Sequence, residues 1–312
     1  MSSRPEFVRR AMPRTPLPSL AWDELAPRGV TSIYEPFMGM GTNLYAFKRH
    51  GLRVVGSDLL ECTWSASRAI TENNSFRLTP EAIASFSLSP APTLEHHDRF
   101  ASWAQRGFFD PHQAAWLGYW RDRLEMLDGY ARDLATVAVG WILDNWIKSL
   151  EQPGVAPASA SAVTLFLKRA NQWVWDNGQT NAALRGRPGD LAGDVAVDAC
   201  YLYLEPPMVA IDLRSWLFEA WLQGRSEAEL GEFYQDNPFY GALEAYRQGV
   251  LDLFQRLEHI PYWAIQYRTE ELDAVWGDRP IWLADRQLIA QQHLGMGPHA
   301  AGEMLCIAAR PD

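Results

Sequence analysis

The chain has few lysines, few cysteines and no uninterrupted membrane-length apolar run. Only 3 of its 28 basic residues are lysine, and its formal net charge is −10 at pH 7. A protein that binds nucleic acid usually presents a basic face, so this balance argues against nucleic acid unless arginines gather locally. The 3 cysteines, Cys62, Cys200 and Cys306, are far apart and form no metal-type pairs. We therefore expect structural thiols in a reduced, cytoplasmic protein, and no metal site.

Targeting and membrane signals are also missing from the sequence. The first 20 residues carry arginines and prolines without an apolar core, so we expect no secretory signal. The longest apolar window, residues 134–147, is broken by Asp144 and Asn145 and is too short to cross a membrane. What the chain does have is 312 residues with 47% hydrophobic side chains, which is enough for an α/β domain with an insertion.

The order of strand-like and helix-like runs predicts a Rossmann-like α/β fold. The runs "VTSIYEP", "TNLYAFKRHG" and "LRVVGSD" follow one another as strand, helix and strand, and such a βαβ unit requires parallel strands. Apolar residues at helical spacing then fill roughly residues 94–150. Strand-like runs return in "VDACYLYLEPP", "YWAIQYR", "RPIWLA" and "EMLCIAAR", with amphipathic helix between the first two.

These patterns divide the chain into four segments. Residues 1–30 are expected to form an N-terminal tail or lid, and residues 31–93 the first half of a cofactor-binding α/β domain. Residues 94–190 are expected to form a helical insertion that serves as a lid or in substrate recognition. Residues 191–312 are expected to form the second half of the α/β domain.

A glycine turn, "EPFMGMG", falls at the end of the first predicted strand, where parallel sheets bind ligands. Gly39 and Gly41 allow a tight turn and a close approach of the backbone to a ligand. Asp58, at the end of the second strand, is placed to accept both ribose hydroxyls of an adenosine. Leu44 stands where a dinucleotide fingerprint has its third glycine, and Glu35 would repel phosphate but suit an ammonium group. The pattern favours S-adenosylmethionine as cofactor; a glycine-rich turn in another α/β protein is the alternative.

The stretch from residue 34 to residue 60, followed by "SRAITENN", resembles the cofactor motif of bacterial adenine-specific DNA N6-methyltransferases. The resemblance implies the class I methyltransferase fold, with a mostly parallel seven-stranded sheet and a large helical insertion. It also implies that S-adenosyl-L-methionine is bound along the glycine turn and the end of the second strand. The implied cofactor-binding residues are Glu35, Pro36, Phe37, Gly39, Gly41, Thr42, Asn43, Asp58 and Leu59.

The same family carries a catalytic tetrapeptide, D-P-P-Y, and "EPPM" occupies its place in this chain. The implied catalytic residues are therefore Glu205, Pro206, Pro207 and Met208. In the family, the acid and the first proline carbonyl accept the two N–H bonds of the target amine, and the aromatic ring stacks on the flipped base. Glu205 reaches one methylene further than the family's Asp, and Met208 lacks the flat stacking face.

Three hypotheses about function follow. The first is methyl transfer to adenine in DNA; the second is a biosynthetic enzyme that methylates a small-molecule amine or cleaves or cyclises the cofactor itself. The third is a catalytically inactive cofactor-binding protein.

Candidate substrate residues are Asn145, Trp173 and Tyr203. Amides among indoles suit an amine or a base, with inward packing of the tryptophans as the alternative. Tyr203 stands just before the tetrapeptide on a predicted strand, where its side chain faces either the pocket or the core. Arg185, Arg187 and Lys168 are candidates for phosphate contact if DNA is bound, with ordinary surface solvation as the alternative.

Overall fold

A seven-stranded mixed sheet organises the protein. The computed structural model describes residues 17–87, 92–152, 154–204, 213–224, 239, 242–268, 286–294 and 303–311. The strands are β1 (Ser32–Glu35), β2 (Arg53–Asp58), β3 (Ala182–Arg185), β4 (Ala199–Leu204), β5 (Tyr262–Arg268), β6 (Gln287–Leu294) and β7 (Glu303–Ala309). Their order across the sheet is β3-β2-β1-β4-β5-β7-β6.

Five of these strands, β1 to β5, run parallel, and β7 lies antiparallel between β5 and β6. The order matches the doubly wound order 3-2-1-4-5-6 with the last strand inserted next to β5. The predicted α/β class and the mostly parallel seven-stranded sheet are thereby confirmed. Strand β4 reads "ACYLYL", and such a nearly continuous apolar run is typical of a parallel strand covered on both faces.

Helices precede, separate and follow the strands. They are α1 (Leu17–Leu25), α2 (Thr42–Arg49), α3 (Glu61–Ser67), α4 (Pro80–Ser87), α5 (Leu94–Arg99), α6 (Ala101–Gln105), α7 (Pro111–Glu125), α8 (Gly129–Glu151), α9 (Val163–Gln172), α10 (Pro188–Leu191), α11 (Leu213–Gln223) and α12 (Leu243–Arg256). A short π-helix, Arg68–Glu72, continues α3. The predicted helix after the first strand and the helical stretch near residues 94–150 are both confirmed.

Two apolar cores cover the two faces of the sheet. On one face, α1 and α2 pack Leu25, Leu44 and Phe47 against residues of β1, β2, β4, β5 and β7. On the other face, α12 packs Val250 and Leu253 against β4 and β5. The α/β part of the molecule therefore has three layers, helix, sheet and helix.

A third apolar core holds the helical insertion together. It contains side chains from α3, α4, α6 to α9 and α11, including the fully buried Trp120, Trp146 and Trp221. Many of the chain's tryptophans are therefore core residues of the insertion, which is the alternative that the sequence left open. Since α11 follows β4 directly in the chain but packs with this core, the insertion is built from two separate parts of the sequence.

Two strands differ from the sequence prediction. Strand β3 lies inside the range 94–190 that was expected to be wholly helical insertion, and its four residues are too few to show a clear period. Strand β6, with the mixed run "QLIAQQHL", was not predicted either. The predicted strand "RPIWLA" lies outside the described residues, as does most of the chain between α11 and α12.

Candidate functional site

The candidate site lies at the topological switch point of the sheet, where successive strands change from one side of β1 to the other. The chain passes from β1 outward to β2 and β3, then returns to place β4 on the other side of β1. Ligands of open parallel sheets bind in the crevice at the carboxyl ends of the strands that flank such a reversal. In this protein those ends are Glu35 of β1, Asp58 of β2 and Leu204 of β4.

The glycine turn joins β1 to α2 in a left-handed conformation. Gly39 has φ +51° and Gly41 has φ +78°, values that favour glycine. A Cβ on Gly41 would lie 2.6 Å from Ser67 Oγ and 3.0 Å from Ser67 Cα, so α3 itself requires this glycine. A Cβ on Gly39 would meet no atom of the described residues within 4 Å. Gly41 therefore serves packing, whereas the space beside Gly39 is open, as a ligand-binding turn requires.

Leu44 explains how the turn departs from a dinucleotide fingerprint. Its side chain is fully buried against β2, where a Cβ on Gly56 would lie 2.3 Å from Leu44 Cδ1. The third glycine of a dinucleotide site allows close packing of helix on strand. Here the glycine stands on the strand and the large side chain on the helix, so the same close packing is reached with the two roles exchanged.

Glu35 is the most unusual charged group of the site. Its side chain is 1% exposed, Oε1 accepts a hydrogen bond of 2.8 Å from Asn43 Nδ2, and Oε2 is buried without a hydrogen-bond partner among the described residues. Burial raises the pKa of Glu35 to about 8; the hydrogen bond from Asn43 and the nearby backbone N–H of Leu44, which makes no hydrogen bond to Oε2, oppose this, and the charge of Asp58 adds to it. A buried carboxylate oxygen without a donor is costly, and a cationic donor is the ligand group that offsets this cost best.

Asp58 is held by the protein more completely than the sequence predicted. Oδ1 accepts hydrogen bonds from Thr63 Oγ1 at 2.6 Å and from Leu60 N at 3.1 Å, and Oδ2 accepts one from Gly39 N at 3.0 Å. Burial raises the pKa of Asp58 to about 6, although these three hydrogen bonds lower it. With four acceptor positions on a carboxylate, the remaining capacity lies mainly on Oδ2. We therefore expect one strong hydrogen bond to a ligand from Asp58 rather than two.

Two residues that support this arrangement were not predicted. Thr63 fixes the Asp58 carboxylate, and the fully buried Glu219 of α11 accepts hydrogen bonds from the N–H groups of Glu61 (2.9 Å) and Cys62 (2.7 Å) at the start of α3. The position of Thr63, five residues after Asp58, is a usable local signal. Glu219 is separated from α3 by more than 150 residues, and no local pattern points to it.

The other predicted cofactor residues surround the same turn. Pro36 is buried and its carbonyl oxygen accepts a hydrogen bond from Ser57 Oγ at 3.1 Å. Phe37 is half-buried and packs edge-on against Phe239, with ring centroids 4.8 Å apart. Thr42 is exposed at the first position of α2, and Leu59 is half-buried directly after β2. Together with Glu35, Gly39, Gly41, Asn43 and Asp58, all the predicted cofactor residues lie at the carboxyl edge of β1 and β2.

The predicted substrate residues are spread more widely. Tyr203 is half-buried near the carboxyl end of β4, in register with Gln266 of β5. Trp173 packs against Tyr45 of α2, with ring centroids 5.1 Å apart. Asn145 Oδ1 accepts a hydrogen bond of 2.6 Å from Ala158 N and so anchors the loop after α8. Of the three, Tyr203 belongs to a strand end that borders the crevice.

The predicted catalytic residues Glu205, Pro206, Pro207 and Met208 lie outside the described residues. Strand β4 ends at Leu204, immediately before them. Their roles therefore stay a prediction from the resemblance.

The described ranges contain no metal-binding cluster and no membrane-length helix. No group of three or more histidine, cysteine, aspartate or glutamate side chains there is arranged to hold a metal ion. No helix within those ranges combines the length and apolar character needed to span a membrane. No protein-family model matches the chain, and a search of curated proteins finds no match either.

Proposed function

We propose that the protein binds S-adenosyl-L-methionine at the carboxyl edge of β1 and β2 and transfers its methyl group to an amine. The observation that carries the proposal is the buried Glu35 carboxylate, whose Oε2 lacks a donor beside an open glycine turn. The α-ammonium group of this cofactor is the cationic donor that such an oxygen suits. Glu35, which stands beside the glycine turn, would also disfavour the pyrophosphate of a dinucleotide once it is ionised.

The residues present fit the cofactor in three respects. Glu35 would hold the ammonium group, with Asn43 fixing the orientation of its carboxylate. The open side of Gly39 would admit the ribose, and Asp58 Oδ2 would accept one ribose hydroxyl. When bound, the cofactor supplies an electrophilic methyl group on its sulfonium. The chain's part would be to orient the cofactor and to place an acceptor amine over the end of β4.

The acceptor class has two candidates that different observations favour. The order of motifs, with the glycine turn first and "EPPM" after β4, favours adenine in DNA by resemblance. The net charge of −10 with 3 lysines favours a small-molecule amine. A catalytically inactive cofactor-binding protein is the remaining alternative, because Glu205 and Met208 differ from the family's catalytic pair.

Calorimetric titration with S-adenosyl-L-methionine tests the proposal. We expect saturable binding at micromolar to millimolar concentration, and no binding by NAD in the same assay. Incubation with labelled cofactor and either duplex DNA or pools of small amines then assigns the acceptor. Absence of binding heat and of thermal stabilisation by the cofactor would refute the proposal. Binding of the cofactor without methyl transfer to any acceptor would favour the catalytically inactive alternative.

A further inference from the structure

Arginines from four separate elements converge beside the start of α3. Arg185 ends β3, Arg132 belongs to α8, Arg121 to α7 and Arg99 to α5. Arg132 Nη2 and Arg185 Nη1 each lie 3.3 Å from a different oxygen of Glu61. Arg121 Nη1 lies 3.0 Å from Glu125 Oε1, and Arg99 forms an ion pair with Asp122. We call Arg99, Arg121, Arg132 and Arg185 the arginine cluster.

The arginine cluster concentrates positive charge in a chain that is acidic as a whole. Its four guanidinium groups form ion pairs with three carboxylates, because Glu61 is shared between two arginines; a fourth carboxylate at the start of α3, the buried Glu219, is occupied by the N–H groups of Glu61 and Cys62. A single carboxylate bridging two guanidinium groups marks a position that a phosphate would suit better, since phosphate offers more acceptor oxygens and more charge. The side chains of Arg132 and Arg185 are 35% and 40% exposed, so solvent and solutes reach them.

Arg121 gives a second, independent sign of a missing anion. Its side chain is 12% exposed, and its Nε atom is buried without a hydrogen-bond partner in the described part of the chain; its Nη1 atom meets Glu125 Oε1 at 3.0 Å but without the geometry of a hydrogen bond. Burial lowers the pKa of Arg121, Glu125 and Glu61 oppose this, and the charges of Arg132 and Arg99 lower it further. Buried polar groups are normally satisfied, so an under-satisfied guanidinium within a group of like charges indicates room for another negative charge.

We infer that the arginine cluster forms an anion subsite that binds a phosphate group. The subsite lies beside the crevice, because Arg185 is in register with Asp58. It lies three strands away from β4, roughly 14 Å at ordinary strand spacing, so it would hold a remote part of a ligand rather than the reacting amine. Glu35 and Asp58 disfavour phosphate beside the glycine turn. The arginine cluster, by contrast, places positive charge beside β3.

The subsite is inferred from ion-pair geometry, so it does not depend on whether S-adenosyl-L-methionine is bound. Its test is a calorimetric titration at low ionic strength with three probes: inorganic phosphate, adenosine 5′-monophosphate and a ten-nucleotide single-stranded DNA. The Arg132→Gln/Arg185→Gln variant removes two charges of the arginine cluster. The matched Arg49→Gln/Arg169→Gln variant removes two charges from exposed positions of α2 and α9. We expect at least a tenfold loss of affinity in the first variant and less than a twofold change in the second.

The probes distinguish the sources of the phosphate. Much tighter binding of the oligonucleotide, with a steep dependence on salt, assigns a nucleic-acid backbone. Equal or tighter binding of the monophosphate assigns a small phosphorylated molecule. Circular dichroism and melting confirm that each variant is folded; the half-exposed Arg185→Gln single variant replaces the double variant if that one unfolds. Equal affinity in both double variants, or no binding of any probe to the unaltered protein, would overturn the subsite, whatever the result with S-adenosyl-L-methionine.

Discussion

The two ends of the sheet treat a carboxylate in opposite ways. At the amino end, Asp198 precedes β4 and its Oδ2 accepts hydrogen bonds of 2.8 to 2.9 Å from the backbone and hydroxyl groups of Thr31 and Ser32. Partial burial acts to raise the pKa of Asp198, but these four hydrogen bonds outweigh it and hold the pKa below its ordinary value. At the carboxyl end, Glu35 is buried with one oxygen unsatisfied, and its pKa is raised to about 8.

This contrast separates a carboxylate that supports folding from one for which we propose a role in ligand binding. Asp198 joins the starts of β1 and β4, and four groups of the protein itself donate to its Oδ2. Glu35 destabilises the folded chain unless it is protonated or paired with a cation. Proteins keep such costly groups mainly at functional sites, so the carboxyl end of the sheet is where function is expected.

The largest effect is expected from Glu35→Gln. The amide keeps an acceptor for Asn43 but loses the charge that holds an ammonium, so affinity for S-adenosyl-L-methionine should fall about 100-fold, close to 3 kcal/mol. Calorimetry measures this loss, with Asp198→Asn as the matched control that should bind the cofactor normally.

The same Glu35→Gln variant should be more stable than the unaltered protein in the absence of cofactor. The folded pKa of Glu35 lies above its unfolded value, so its contribution to stability is fully present at low pH and is lost as pH rises through about 8. The melting temperature of the variant should therefore match the unaltered protein near pH 4.5 and exceed it by about 3 °C or more at pH 8.5. Equal melting at both pH values would show that Glu35 is not destabilising.

Gly41→Ala should destabilise the fold by about 3 kcal/mol, because it combines left-handed backbone strain with a clash against Ser67 of α3. Gly39→Ala should cost only about 1 kcal/mol, since it meets strain but no neighbouring atom, and should instead weaken cofactor binding. Chemical denaturation and calorimetry on both variants check the difference. Equal destabilisation by the two substitutions would contradict the assignment of Gly41 to packing and Gly39 to the ligand.

Asp198→Ala should destabilise the free protein by about 2 kcal/mol near neutral pH, because the donors of Thr31 and Ser32 lose their acceptor. The folded pKa of Asp198 lies below its unfolded value, so its contribution is present above pH 4 and is lost as pH falls through the folded pKa. Urea unfolding at pH 7 and pH 3 should show the difference from the unaltered protein shrinking at the lower pH. A constant difference would mean that the ionised carboxylate is not what stabilises this end.

The smallest effect is a proton released on cofactor binding. A cationic ligand lowers the pKa of Glu35, so between pH 6 and pH 7 the affinity of the unaltered protein should rise about fivefold to tenfold. Titrations in two buffers of different ionisation enthalpy should give different heats, and Glu35→Gln should give the same heat in both. Buffer-independent heats for the unaltered protein would mean that Glu35 is already ionised.

Much of the fold was predictable because its signals are local. The turn glycines, the apolar run of β4 and the helical periods around Trp116 and Leu134 each act over a few residues. Strands β3 and β6 were missed because β3 is very short and β6 mixes polar and apolar residues without a clear alternation. The predicted cofactor residues lie together because the ends of β1 and β2 are neighbours in any parallel βαβ unit.

What the sequence alone determined is the kind of turn and which acidic residues stand at strand ends, since both follow from residue types at fixed short spacings. The tertiary structure decided which acceptor atoms remain free. Asp58 is largely satisfied by Thr63, Leu60 and Gly39, Glu35 keeps one oxygen without a donor from the ranges that the structure describes, and Glu61 is shared by Arg132 and Arg185. Satisfaction of a buried charge depends on groups brought from distant parts of the chain, and their distances exist only once the helices have packed on the sheet.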